Sequence, residues 1–132
     1  MTSRPIKEKV AVHIKNNRAG ELVFRTTADR LARARQRHPE VSSRIDVCVD
    51  WDLDNFDRSM ERAEVMMTWD LPTDDLQQRA PRLKWIHVIG AGVEPLAPFD
   101  WLPPGMTVTR NSGIHLEKTR EYVGMGLQML NN

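Results

Sequence analysis

This sequence predicts a single α/β domain built on a five-stranded parallel sheet. Three observations carry that expectation: five short apolar segments of strand character, a helix-compatible stretch after most of them, and connections too long for hairpins. A length of 132 residues suits one domain able to bury a real core.

Alternation in Val10 to Ile14 (VAVHI) predicts the first strand, closed by a turn at Asn16 to Gly20 (NNRAG). Thr26, with Asp29 three residues on, has capping-box spacing. Phe24, Ala28 and Leu31 share a helical face, and His38-Pro39 is the expected stop. Ile45, Val47, Val49 and Trp51 alternate with polar or small residues to give a second strand. Asp54 is placed to cap a short helix carrying Phe56, Met60 and Ala63. The run Val65 to Trp69 (VMMTW) predicts a third strand, Thr73 to Ala80 a two-turn helix with Leu76 inward, and Trp85 to Ile89 (WIHVI) a fourth strand. Met106 to Thr109 predicts the fifth, and a last helix runs from about His115 to the end.

Strands that alternate with crossovers make βαβ units, whose parallel sheet is covered on both faces. The expected architecture is a flavodoxin-like three-layer α/β/α sandwich with strand order 2-1-3-4-5. Ligands then bind beyond the carboxyl ends of the strands, near the switch point. In the last helix, Leu116, Val123, Leu127 and Leu130 form one apolar stripe, and Tyr122, Met125 and Met129 a second on another face. A helix apolar on two sides is expected to be buried on two sides, and the sequence after it carries no glycine stop. The natural chain is therefore expected to continue, and a chain cut here is expected to self-associate through this helix into a homo-oligomer.

Nineteen basic and 18 acidic residues leave a net charge of +1, so no chain-wide field favours nucleic acid or an anionic membrane. No apolar run approaches the roughly 20 residues of a membrane span, and the N-terminus lacks a signal-peptide core. The lone Cys48 reads as a reduced thiol, so a cytoplasmic protein is expected.

The segment Pro81 to Glu94 (PRLKWIHVIGAGVE) runs an apolar strand straight into Gly90-Ala91-Gly92. Small residues there let backbone amides approach a ligand and form an anion-binding nest, for which a carboxylate is a natural guest. No Lys or Arg lies between Ile86 and Asp100. The other reading of the glycines is a tight strand-to-helix turn.

From Ala63 to Gln128 the chain resembles the N-terminal part of the D-isomer-specific 2-hydroxyacid dehydrogenases. The likeness runs in order through AEVMMTW, LQQRAPRLKWIHVIGAGVEPL, LPPGMTVT and GIHLEKTREYVGMGLQML, and is nearest to the glyoxylate and hydroxypyruvate reductase branch. The resemblance implies that residues 1–132 are a substrate-binding domain. It implies that backbone amides of Ala91, Gly92 and Val93 hold the carboxylate of a small 2-oxoacid or 2-hydroxyacid, with Glu94 replacing the family's Asp. It further implies that Trp69 lines the pocket and that Thr119 faces the nicotinamide. NAD or NADP would be bound by a separate Rossmann domain absent from this chain, and the family's catalytic Arg, Glu and His lie there too. This chain therefore has no catalytic residue of its own under that reading and is expected to be inactive alone. Arg110 stands where the family keeps Asn, with Asn111 next to it, and Glu121 matches a recurrent acid; none of the three receives a role.

His13 and His87, on strands, read as core or surface residues rather than as a general base. Asp50, Asp52, Asp54 and Glu61 have calcium-loop spacing, but Asn55 stands where that loop needs Gly and a strand leads in, so no metal is expected. A stand-alone small-carboxylate binding module is the alternative from another class. A receiver-type signalling domain with Asp70 as phosphoacceptor is a second alternative, weakened by Asn16-Asn17 in place of an acidic pair and by Arg110 in place of a lysine.

Overall fold

The computed structural model describes residues 8–90, 92, 94–111 and 116–130. Five parallel strands form one sheet: β1 (Val10–Asn16), β2 (Ile45–Trp51), β3 (Val65–Thr68), β4 (Trp85–Val88) and β5 (Thr107–Arg110), in the order β2-β1-β3-β4-β5. The helices are α1 (Ala28–Arg37), α2 (Pro39–Ser42), α3 (Phe56–Met60), α4 (Leu76–Arg79) and α5 (Leu116–Leu130), with 3-10 turns at Leu22–Phe24, Glu94–Leu96 and Phe99–Trp101. The flavodoxin-like α/β arrangement and its strand order are as the sequence predicts.

Several local expectations shift for identifiable reasons. Thr27, not Thr26, caps α1 by accepting from the Arg30 amide at 3.2 Å, while the Thr26 amide donates to Asn16 Oδ1 at 2.7 Å. Phe24 belongs to a 3-10 turn outside that helix. Pro39 does not end the helical region but starts α2, where a missing N–H costs nothing. Asp54 does not cap α3; Asn55 holds that position, and its own amide donates to Asp50 Oδ2 at 3.0 Å. Strand β3 stops at Thr68, leaving Trp69 in the loop, and the helix foreseen over 73–80 contracts to α4.

Register assigns each strand residue to a face. His13, Cys48, Met66, Ile86 and Val108 form one row; Ile14, Val49, Met67, His87 and Thr109 form the opposite one. Right-handed crossovers put the β1-to-β2 connection on one face and the next two on the other, since the chain reverses across the sheet at β1. The core lies on the α3 and α4 face, where Phe56, Met60, Met66, Leu76 and Ile86 are at most 2% exposed. Burying each such side chain contributes about 1.5–3 kcal/mol. The opposite face is more thinly covered: Ile14 is buried, but Trp85 is exposed, and Val12, Val65 and Met67 are only half-buried. Helix α1 buries no residue fully, and Tyr122, Val123, Met125, Leu127, Met129 and Leu130 of α5 are open to solvent, from Met125 at 53% to Leu130 at 83%.

Candidate functional site

The reversal of strand order falls between β1 and β3, and a cleft of about 510 Å³ opens at their carboxyl ends. In doubly wound sheets this is where neighbouring loops diverge and leave a crevice. Lys15, Asn17, Arg25, Trp69, Asp70 and Ile89 are among its lining residues.

The floor comes from the end of β1. Lys15 is 7% exposed, and its ammonium donates to Asn17 Oδ1 at 2.6 Å and to Asp70 Oδ1 at 2.9 Å. Asn17 Nδ2 donates to the same Asp70 oxygen at 3.1 Å. Burial raises the Asp70 pKa, but the hydrogen bonds from Lys15 and Asn17 and the Lys15 charge outweigh it, holding the carboxyl below its usual range. The Thr68 hydroxyl donates to the Asp70 carbonyl and fixes the turn out of β3. Asn16 is 4% exposed; its side chain bonds Thr26 through both oxygen and nitrogen and also donates to the Asp50 carbonyl at 3.2 Å. One buried amide thus ties β1 to β2 and to the approach of α1.

The walls are aromatic and cationic. Trp69 packs on Phe24 with ring centroids 4.8 Å apart, and Arg25 lies 5.8 Å over the Trp51 ring while donating to the carbonyls of Arg18 and Gly20. Gly90 is buried against Trp69: a Cβ there would sit 3.2 Å from the indole, tighter than ordinary contact, so a side chain at 90 would displace the ring. On the rim, Arg18 reaches Asp52 at 3.0 Å and Asp54 at 2.5 Å.

Trp69 and the start of the Gly90 loop therefore meet in one place. Gly92 is half-buried with the Glu94 carboxylate folded against it, where a Cβ would overlap that group. Ala91 and Val93 lie outside the described residues. Thr119 and Glu121 are exposed on α5. Asn111, given no role from sequence, braces the glycine loop: its amide donates to the Gly90 carbonyl at 3.0 Å and its Nδ2 to the Ile89 carbonyl at 2.8 Å. That leaves Asn111 Oδ1 to accept from His87 Nε2 at 2.9 Å, so His87 Nδ1 accepts from the Thr109 hydroxyl at 2.7 Å. Trp85 Nε1 donates to Thr109 Oγ1, also at 2.7 Å. The partners of these side-chain bonds lie 22 or more residues apart, and no sequence spacing announces them.

Asp50, Asp52 and Asp54 do not converge. Asp50 points inward at 2% exposure, whereas Asp52 and Asp54 hold Arg18. Among the described residues no group of three acidic, histidine or cysteine side chains could hold a metal ion.

Comparison with family models, with curated proteins and with solved structures returns no match.

Proposed function

We propose that this chain binds a small 2-oxoacid, as the substrate-binding domain of an NAD(P)-dependent oxidoreductase that interconverts the oxoacid and its D-2-hydroxyacid. One observation carries the reading: the aromatic side chain that the dehydrogenase resemblance assigns to the pocket, Trp69, packs on the opening glycine of the loop assigned to the carboxylate, at the cleft beside the switch point. The arrangement would place a carboxylate on backbone amides near Gly92 and a short substrate chain against the indole. The cleft's charged lining is not cationic, Lys15 and Arg25 standing against Glu21, Asp52 and Asp70, with Lys15 paired to Asp70 and Arg25 bonded to backbone carbonyls. Amides are therefore a better anion site there than the cations already engaged.

The residues present do not suit a dinucleotide. The loop after β1 has one glycine, Gly20, followed by Glu21, and its Arg18 is taken up by Asp52 and Asp54. No hydride-transfer step is assigned to this chain, and the cofactor would sit on a separate nucleotide-binding domain. A receiver-type reading gains nothing, because Asp70 is tied to Lys15 and Asn17.

Titration with glyoxylate and hydroxypyruvate tests the proposal. Weak binding is expected, with NMR shifts at Gly90, Gly92 and the Trp69 indole. Val93→Ala should leave it unchanged, whereas Gly92→Pro, which removes an amide and fixes φ, should abolish it and should raise KM steeply in an enzyme carrying both domains. Oxoacid binding untouched by Gly92→Pro in a folded protein would reduce the loop to a turn, and tight NADH binding by residues 1–132 would overturn the domain assignment.

A further inference from the structure

A second array of reactive groups lies on the α3 side of the sheet, away from the Trp69 cleft. His13 is fully buried, and its Nδ1 sits 2.7 Å from the hydroxyl of Ser59. Its Nε2 sits 3.6 Å from Oδ2 of Asp50, itself 2% exposed, and has no hydrogen-bond partner. Asp50 is held in place by the amide and Nδ2 of Asn55, each at 3.0 Å. The Asp50 carboxylate 3.6 Å from Nε2 favours the tautomer that carries its proton on Nε2, in which Nδ1 accepts from the Ser59 hydroxyl. That tautomer is the one in which His accepts a proton from Ser and the new imidazolium lies against a fixed negative charge.

Packing alone does not call for this arrangement. A buried imidazole nitrogen short of hydrogen-bond distance from its partner is a cost that an apolar side chain at position 13 would avoid. Ser59, at the other end, is not sealed in: it lines a groove of about 340 Å³ between α3 and β2, shared with Asp46, Cys48, Asn55, Arg58 and Arg62.

We infer that Ser59 is a nucleophile activated by His13 with Asp50 as its positioning residue, and that the groove hydrolyses short-chain carboxylic esters. The Oγ–carbonyl bond forms as the Ser59 proton passes to His13 Nδ1. The ester C–O bond breaks, and the departing alkoxide takes the proton from Nδ1. Water then attacks the acyl-Ser59 ester and gives a proton to Nδ1, and Ser59 leaves with that proton, so ester and water yield acid and alcohol. Arg58 is the groove cation available to the developing oxyanion or to an acid group on the substrate, Arg62 being drawn to Asp46 at 3.4 Å.

Burial holds the His13 pKa below its ordinary value; Asp50 opposes this and Lys15, two residues along the strand, reinforces it. The base is therefore neutral at physiological pH.

The test treats the whole chain with a fluorophosphonate and with p-nitrophenyl butyrate between about pH 6 and 9. The expected result is one covalent adduct, mapped to Ser59, and ester turnover with an acidic limb that follows the His13 titration read by NMR. Ser59→Ala should abolish both. Asp50→Asn should slow turnover about 100-fold or more and move the acidic limb to lower pH, since a charge that favours the imidazolium is gone. A folded wild-type protein that gives no adduct, or an adduct at Cys48 alone, overturns the inference, as does a rate that ignores the His13 titration. These outcomes are independent of oxoacid binding at the Trp69 cleft.

Discussion

Met66 and Met67 are neighbours in the chain with the same side chain, yet one is fully buried against Phe56 and Met60 and the other is half-buried on the opposite face. The contrast runs across the whole sheet. One face is closed by α3, α4 and the 3-10 turn at Glu94–Leu96, with Ile86 and Val88 at 0% and 1%; the other has Trp85 at 42%. The densest packing therefore lies on one side of the same five strands. The closed side supplies the free energy of folding, and the open side retains apolar area that only further contacts can remove from water.

The methionine pair is the sharpest way to break the comparison. Met66→Ala should destabilise the fold by about 2–5 kcal/mol, whereas Met67→Ala should cost about 1 kcal/mol or less, both read as a shift in urea midpoint at constant m value. Equal losses would mean that the open face is as tightly packed as the closed one. A smaller effect comes from protons. The folded-state pKa of His13 is lowered, chiefly by burial. Between that value and the ordinary one near 6.5, the unfolded chain binds a proton that the folded chain does not. His13 thus contributes stability that is fully present above about pH 6.5 and is lost as pH falls below it. Melting curves on a His13→Gln variant should lack this component, and an identical acid slope in both proteins would refute the assignment.

The smallest effect on stability, and the most visible on assembly, concerns α5. Replacing Met125 and Met129 with Glu should change unfolding free energy by no more than about 0.5 kcal/mol, because both are more than half exposed. Size-exclusion chromatography should nonetheless show a shift toward monomer, and an unchanged elution volume would mean that the stripe is not the sticky surface.

Strand identity and order were legible because parallel strands leave their signature locally: apolar runs of strand length, punctuated by turns and followed by helix-compatible stretches. The pairing of Thr27 with Arg30 lay within reach of the same reasoning and slipped by one residue, since two threonines stand side by side and only the fold shows which amide Asn16 claims. What was not legible depends on distant partners. Asp54 looks like a cap until Arg18, 36 residues away, takes it. His13 and Ser59 are 46 apart and each is unremarkable alone, so a strand histidine reads as packing until the hydroxyl and Asp50 are seen on either side of it. The coverage of the two faces was equally hidden: amphipathic periodicity announces that a helix wants a neighbour, but not that one is supplied.

The Arg18 bridge has a kinetic consequence for the cleft beneath it. Arg18, Asp52 and Asp54 are each about half exposed, at 56%, 46% and 49%, so water competes for every bond in the bridge, and salt screens it with a Debye length of about 8 Å. The floor, in contrast, is held by Lys15 and Asn16 at 7% and 4% exposure. Rim and floor thus belong to different tiers of local opening, the rim separating at a small fraction of the free energy that unfolds the domain. Amide exchange at Arg18, which donates to Asp52 Oδ1, is then fast and quickens with ionic strength, while exchange at Thr26, bonded to Asn16, waits for far rarer events. The rim is thus a contact that salt loosens, above a floor anchored by buried side chains.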